Sequence, residues 1–238
     1  PEEAQAEMAA LLEDSAAPSD LWLGGERLRV GRLRAEIAVA LARHGLSEPH
    51  GCIVAAAEEG AVPHNQGSDD RVLRSRESLI VDLFPQRRFF ADCTRTFCVG
   101  DPPAGLAAAH AVVCAALAAA HREVRPGVRG WDLQEATCAR FASHGYPTPI
   151  SHPGGTVGYV HNLGHGVGYE LHEYPSFRKQ AGREGVLREG DVFTLEPGLY
   201  DPAAGWAVRL EDLCFLGREG IENLTPLPTD LDPRVVAA

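Results

Sequence analysis

Four acidic residues interrupt apolar, strand-like runs, and no fold of this chain can ignore them. Asp82 follows L-I-V, Asp92 follows F-F-A, Glu196 follows V-F-T-L and Glu211 follows A-V-R-L. A carboxylate withdrawn from water is costly unless something neutralises it. A lone buried acid beside an arginine is usually a structural ion pair, and Glu211 next to Arg209 could be one. Four are harder to explain by pairing, whereas two divalent cations would balance four carboxylates charge for charge.

The stretch His161–Pro175, H-N-L-G-H-G-V-G-Y-E-L-H-E-Y-P, adds nitrogen donors. Histidine ligates transition metals and titrates near neutrality. Gly164, Gly166 and Gly168 alternate around His165, and glycine lets backbone approach closely without side-chain bulk. Any one of these histidines could as well be a packed core residue; the carboxylates elsewhere favour chemistry. A mixed oxygen and nitrogen set suits manganese, cobalt, zinc or iron rather than a thiolate-bound metal. Two such ions about 3.5–4 Å apart can share a hydroxide and clamp a substrate oxygen.

The 238 residues, 45% hydrophobic, suffice for one large domain or two small ones. A net charge of -11 argues against nucleic acid and anionic membranes as partners. No run is expected to reach the roughly 20 apolar residues of a membrane span. The first residues, P-E-E-A-Q-A-E, are acidic and unlike a secretory signal, and the start at Pro1 implies trimming. The six cysteines form no C-x-x-C pair and read as reduced thiols of a cytoplasmic protein.

Periodicity predicts helices over Glu2–Leu12, Leu28–His44, Leu106–Val124 and Asp132–His144. Strands are expected at Gly51–Ala57, Ser78–Phe84, Phe89–Val99, Asp191–Leu195 and Ala207–Leu216. A turn at Pro85–Arg88 would pair the second with the third, so that Asp92 and Glu211 would each lie inside a strand. Helices mixed with strand pairs and no linker indicate a single α+β domain over residues 1–238, and each half offers a helix pair followed by acids on strands.

The succession D-L-F-P…A-D-C-T-R-T-F, H-N-L-G-H-G-V-G-Y-E-L-H-E-Y-P, T-L-E-P-G and V-R-L-E-D-L resembles the pita-bread metallopeptidases, from about Val54 to Leu227. That family includes Xaa-Pro aminopeptidases, prolidases, methionyl aminopeptidases and creatinase. The resemblance implies a pita-bread α+β fold, with two pseudo-twofold halves around a curved antiparallel sheet. It makes Asp82, Asp92, His165, Glu196 and Glu211 the ligands of two divalent ions, manganese foremost. Asp82 would hold the first, His165 and Glu196 the second, and Asp92 and Glu211 would bridge them. Glu196 would shuttle a proton. His64, in V-P-H-N, would face substrate, His172 would hydrogen-bond the scissile amide and His161 would line the proline pocket, while Arg209 would support the ligands.

Within the family, His161 four residues before the metal histidine, R-L-E-D at the last ligand and T-R-T at Thr94–Thr96 match the Xaa-Pro-directed members. The expectation is therefore a dinuclear Xaa-Pro dipeptidase acting on peptides with proline in second position, as a cytoplasmic homodimer. Cleavage of longer Xaa-Pro peptides, methionyl aminopeptidase activity and a non-catalytic binding module are the rivals. Two departures stand out. Asp82 and Asp92 are ten positions apart, a shorter interval than usual in the family. The separate N-terminal capping domain usual in Xaa-Pro members is expected to be absent.

Overall fold

The computed structural model describes residues 17–179 and 185–233. The helix expected at Glu2–Leu12 lies outside the described residues. In order along the chain come β1 (Trp22–Leu23), β2 (Glu26–Arg27), α1 (Val30–Arg43), β3 (Cys52–Ala56) and the short α2 (Ala57–Gly60). Next are β4 (Leu79–Leu83), β5 (Cys93–Phe97), α3 (Ala104–Glu123) and α4 (Gly130–Ser143). The remainder is β6 (His165–Gly166), β7 (Glu173–Ser176), β8 (Val192–Leu195), β9 (Gly198–Asp201), β10 (Trp206–Arg209), β11 (Asp212–Gly217) and β12 (Gly220–Asn223).

Three expected helices form where the periodicity places them. α1 stops at Gly45, whose φ of +68° suits glycine and ends the helical run. Its Leu33 and Ile37 pack against Val30, Val54 and Leu73, so it lies shallowly on one face of β3. In α3, Leu106, Ala109, Val113, Ala116, Leu117 and Ala120 recur every three or four residues and enter the main core. That helix corrects the expectation about apolar runs: by length and composition it could cross a membrane. Its buried stripe instead packs on Phe141 of α4, Phe193 and Leu195 of β8 and Val208 of β10.

Two sheets carry the acids. β3, β4 and β5 form one antiparallel ladder, in which Asp82 lies opposite Ile53 on one side and Thr94 on the other. The order of the second is β12-β11-β8-β6-β7. Its register pairs Asp212 with Leu195, so one further step sets Glu211 across from Glu196.

Two strand boundaries differ from expectation. The strand predicted over Phe89–Val99 begins only at Cys93, leaving Asp92 just before it. The preceding residues close on themselves and on a neighbouring loop instead: Ala91 N donates to Pro85 O at 2.9 Å and Phe90 N to Gly168 O at 2.9 Å. The strand predicted over Ala207–Leu216 is broken at Leu210 and Glu211, where β10 leaves its pairing with β9 and β11 joins β8. Glu211 N bonds across to Thr94 O at 2.9 Å, so β5 stitches the two sheets together at that break. All six cysteines are free thiols, four of them buried.

Candidate functional site

Asp82, Asp92, His165, Glu196 and Glu211 all line one cavity of about 1090 Å³, together with His64, His161, His172 and Arg209. Asp82 comes from β4, Asp92 from the end of the loop before β5, and His165 from β6. Glu196 follows β8 directly, and Glu211 occupies the break between β10 and β11. Ligand atoms of Asp92, His165 and Glu211 lie within 4.8 Å of one another. His165 Nε2 stands 3.6 Å from Asp92 Oδ2 and 3.6 Å from Glu196 Oε1. The short interval between Asp82 and Asp92 does not misdirect Asp92, because the loop rather than a strand delivers it.

The glycines around His165 have a steric reason. A Cβ on Gly164 would overlap the carbonyl oxygen of Thr194, and one on Gly166 would overlap that of Tyr174. His165 is thereby drawn tight against β7 and β8. Gly166→Ala is expected to destabilise the fold by about 1–3 kcal/mol, the usual range for overpacking, as read by urea denaturation. His165 Nδ1–H donates to Gly166 O at 3.1 Å, which leaves the Nε2 lone pair facing the carboxylates. Thr194 Oγ1 accepts from His165 N at 3.2 Å.

Arg209 does not pair with its neighbour Glu211. Its NH2 donates to Asp82 Oδ2 at 2.7 Å, its NH1 to the Tyr200 hydroxyl at 2.8 Å and its Nε to Thr94 Oγ1 at 3.3 Å. The Tyr200 hydroxyl donates in turn to His161 Nε2 at 3.1 Å, because His161 Nδ1–H is engaged with Asn162 O at 2.8 Å. From α4, Gln134 fixes this segment by donating to His161 O at 3.2 Å and accepting from Leu163 N at 2.5 Å. Glu211 Oε2 accepts from Thr94 Oγ1 at 2.7 Å.

Charge is badly unbalanced without a cation. Asp82, Asp92 and Glu211 are each less than a tenth exposed, and Asp82 Oδ1 is buried with no hydrogen-bond partner. Burial and the neighbouring Glu211 and Asp82 push the Asp92 carboxyl well above its ordinary value. Burial and Glu211 do the same to Glu196. Burial, with Asp82 close by, raises Glu211 to about 7. The histidines move the other way. Burial lowers His161 to about 3 and His165 to about 4, and it also lowers His172. Neutral imidazole beside clustered carboxylates, with one orphaned carboxylate oxygen, is a donor set that fits divalent ions.

His64 and His172 sit on the exposed part of the cavity wall. The His172 ring lies 4.2 Å from that of His165, centroid to centroid. His64 adopts φ +64°, an unusual backbone state for a non-glycine residue. The sequence reading missed Tyr200, His50 and Arg178, of which His50 and Arg178 line the cavity, and it used Thr94 only as part of T-R-T without a place in the site. Tyr200 two residues after P-G was a local hint; His50 and Arg178 carry no signal of their own.

Metallopeptidase family M24 matches residues 12–217 of the sequence. The chain belongs to this family. It is 32% identical over 199 residues to the probable dipeptidase PepE of Mycobacterium tuberculosis, an alignment covering 83% of this chain and 50% of that protein. It is 30% identical over 227 residues to the Xaa-Pro dipeptidase of Pyrococcus horikoshii, covering 94% of this chain and 61% of that one. The chain thus spans about half to three fifths of the length of these relatives. Among solved structures, the prolidase from Pyrococcus horikoshii superposes with a TM-score of 0.75 at 29% identity, over 86% of this chain and 56% of that chain. The mixed α/β architecture with antiparallel sheets is that of this M24 relative.

Proposed function

We propose that this M24 chain is a dinuclear metal-dependent Xaa-Pro dipeptidase, which splits the bond between an N-terminal residue and a following proline. The observation that carries the reading is the meeting of four carboxylates and a neutral histidine in one cavity, with four further histidines on its wall. The similarity to relatives named Xaa-Pro dipeptidase and prolidase supports the substrate class.

In this reading Asp82 would hold the first ion, His165 and Glu196 would hold the second, and Asp92 and Glu211 would serve both. Manganese is the first choice for so oxygen-rich a set, with cobalt, zinc or iron as alternatives. Bound divalent ions would lower the pKa of a shared water and polarise the scissile carbonyl. The chain's own residues do the rest. Glu196, with its raised pKa, is suited to hold a proton and pass it to the proline nitrogen as that group leaves. His172 and His64 also line the cavity, where their N–H groups can meet charge developing on the substrate oxygen. His161, held by Tyr200 and Asn162, presents a fixed ring edge for the proline. The X-Pro amide has no N–H and its ring fixes φ, so peptidases that grip an extended backbone handle it poorly.

The pseudo-twofold duplication belongs to the same proposal. Its support is that each half sets strands against helices, β3 and β4 with α1, and β8 and β11 with α3 and α4. A cytoplasmic homodimer remains part of the proposal too. To test the substrate class, Mn-loaded protein is offered Ala-Pro, Ala-Pro-Ala and Met-Ala-Ser. Ala-Pro is expected to be split fastest. Preference for Ala-Pro-Ala would make the chain an Xaa-Pro aminopeptidase, and cleavage of Met-Ala-Ser alone would overturn the proline assignment.

A further inference from the structure

Glu211 stands outside regular strand structure, between β10 and β11, so no ladder fixes it. Three contacts from β5 take over that task. Thr94 O accepts from Glu211 N at 2.9 Å, Thr94 Oγ1 donates to the Glu211 carboxylate at 2.7 Å, and Arg95 NH1 donates to Glu211 O at 2.6 Å. Thr96 extends the clamp, since its hydroxyl accepts from Arg209 N at 2.9 Å and donates to Arg209 O at 2.8 Å. T-R-T and R-L-E are therefore two faces of one joint.

Arg95 is the centre of that joint. It is 4% exposed, yet every N–H group has an acceptor. NH1 also donates to Thr94 O at 2.9 Å, NH2 to Asp212 Oδ1 at 2.7 Å, to Thr225 O at 3.0 Å and to Leu227 O at 3.0 Å, and Nε to Pro228 O at 3.0 Å. Asp212 supplies the opposing charge, and its other oxygen accepts from His121 Nε2 at 2.9 Å and Asn223 Nδ2 at 2.8 Å. The guanidinium thus ties the carbonyl of Glu211 to the segment 225–228. A planar fork with five donors can satisfy acceptors spread in this way; an ammonium on a flexible stem cannot.

We propose that Arg95 is a positioning residue, which sets where the Glu211 carboxylate meets Asp92 and His165 by holding Glu211 through its backbone carbonyl. The inference rests on the dinuclear reading above. Its test compares Arg95→Met, Arg95→Lys and, as a remote control, Val30→Ala, a buried α1 residue whose core cluster contains none of the joint's residues. Mn2+ is titrated into metal-free protein by calorimetry, and Tm, kcat and KM for Ala-Pro are measured beside it. Arg95→Met is expected to bind Mn2+ about 10–100-fold more weakly and to lose kcat by a similar factor, with KM changed by no more than about threefold. Arg95→Lys keeps a charge against Asp212, so it should recover most of the Tm but not the Mn2+ affinity.

Wild-type Mn2+ affinity in Arg95→Lys would overturn the proposal. So would an equal loss of affinity in Val30→Ala at matched Tm, because it would reduce the effect to general destabilisation. Should Arg95→Met not fold, Arg95→Lys alone decides. Should the wild-type protein bind Mn2+ without splitting Ala-Pro, the peptidase reading falls while the affinities still judge Arg95.

Discussion

Glu211→Gln is expected to lower kcat for Ala-Pro by at least about a thousandfold and to weaken Mn2+ binding, while leaving the fold intact. The glutamine is isosteric, and its carbonyl oxygen can still accept the bond that Thr94 Oγ1 gives to Glu211. What disappears is one negative charge among four carboxylates. Metal-assisted stabilisation of transition-state charge is worth several kcal/mol, and about 4 kcal/mol corresponds to a thousandfold in rate. The same substitution should make the metal-free protein more stable above pH 7, since it removes repulsion that raises the pKa of Asp92 and Glu196. Opposite signs for turnover and metal-free stability distinguish a ligand from a residue that merely supports the core. Undiminished activity of Glu211→Gln would refute the ligand assignment.

The second large effect is the pH dependence of the metal-free protein. A carboxyl whose folded pKa exceeds its unfolded value keeps its proton longer in the folded chain. Its stabilising contribution is present at low pH and is lost as pH rises through the folded pKa. Glu211, raised from 4.5 to about 7 by burial and by Asp82, behaves in this way. Asp92 and Glu196 shift in the same direction. His161 and His165 oppose them. Their folded values of about 3 and about 4 lie below the ordinary 6.5, so they favour the folded state increasingly as pH rises through 6.5, with about 0.4 kcal/mol each still to be gained above it. The histidines and Glu211 therefore offset each other up to about pH 7, and above that the raised Asp92 and Glu196 decide the trend.

Protein stripped with a chelator is therefore expected to lose stability between pH 6.5 and 8.5: Glu211 gives up about 1 kcal/mol there, about what His161 and His165 still gain, and the raised Asp92 and Glu196 supply the net fall. Saturating Mn2+ should raise Tm and abolish the decline, because the ions favour the ionised carboxylates. A metal-free Tm that rises from pH 6.5 to 8.5 would contradict the crowding of acids on which the site is built.

How much of this was legible beforehand can be judged residue by residue. An acid inside an apolar run is a local pattern, and all four that show it line the cavity, as does the glycine-framed His165. The periodicities of α1, α3 and α4 were equally local, because each helix must turn one apolar stripe inward. The apolar length of α3 went unnoticed, and composition cannot by itself tell a membrane span from a helix packed in a core. Asp92 and Glu211 were expected within strands and lie just outside them, because a strand ends where its partner does, and the partners are distant in sequence.

The sequence by itself determined the candidate ligand types and their setting: charges that no apolar strand keeps without compensation, and glycines where only hydrogen atoms fit. Tertiary structure alone decided who meets whom. Arg209 turned to Asp82, 127 residues away, rather than to Glu211 beside it. Tyr200 became the link to His161, and Arg95 came to hold Glu211 across a gap of 116 residues. Such partnerships are set by where two sheets join, and a chain records that only through the sum of its long-range packing.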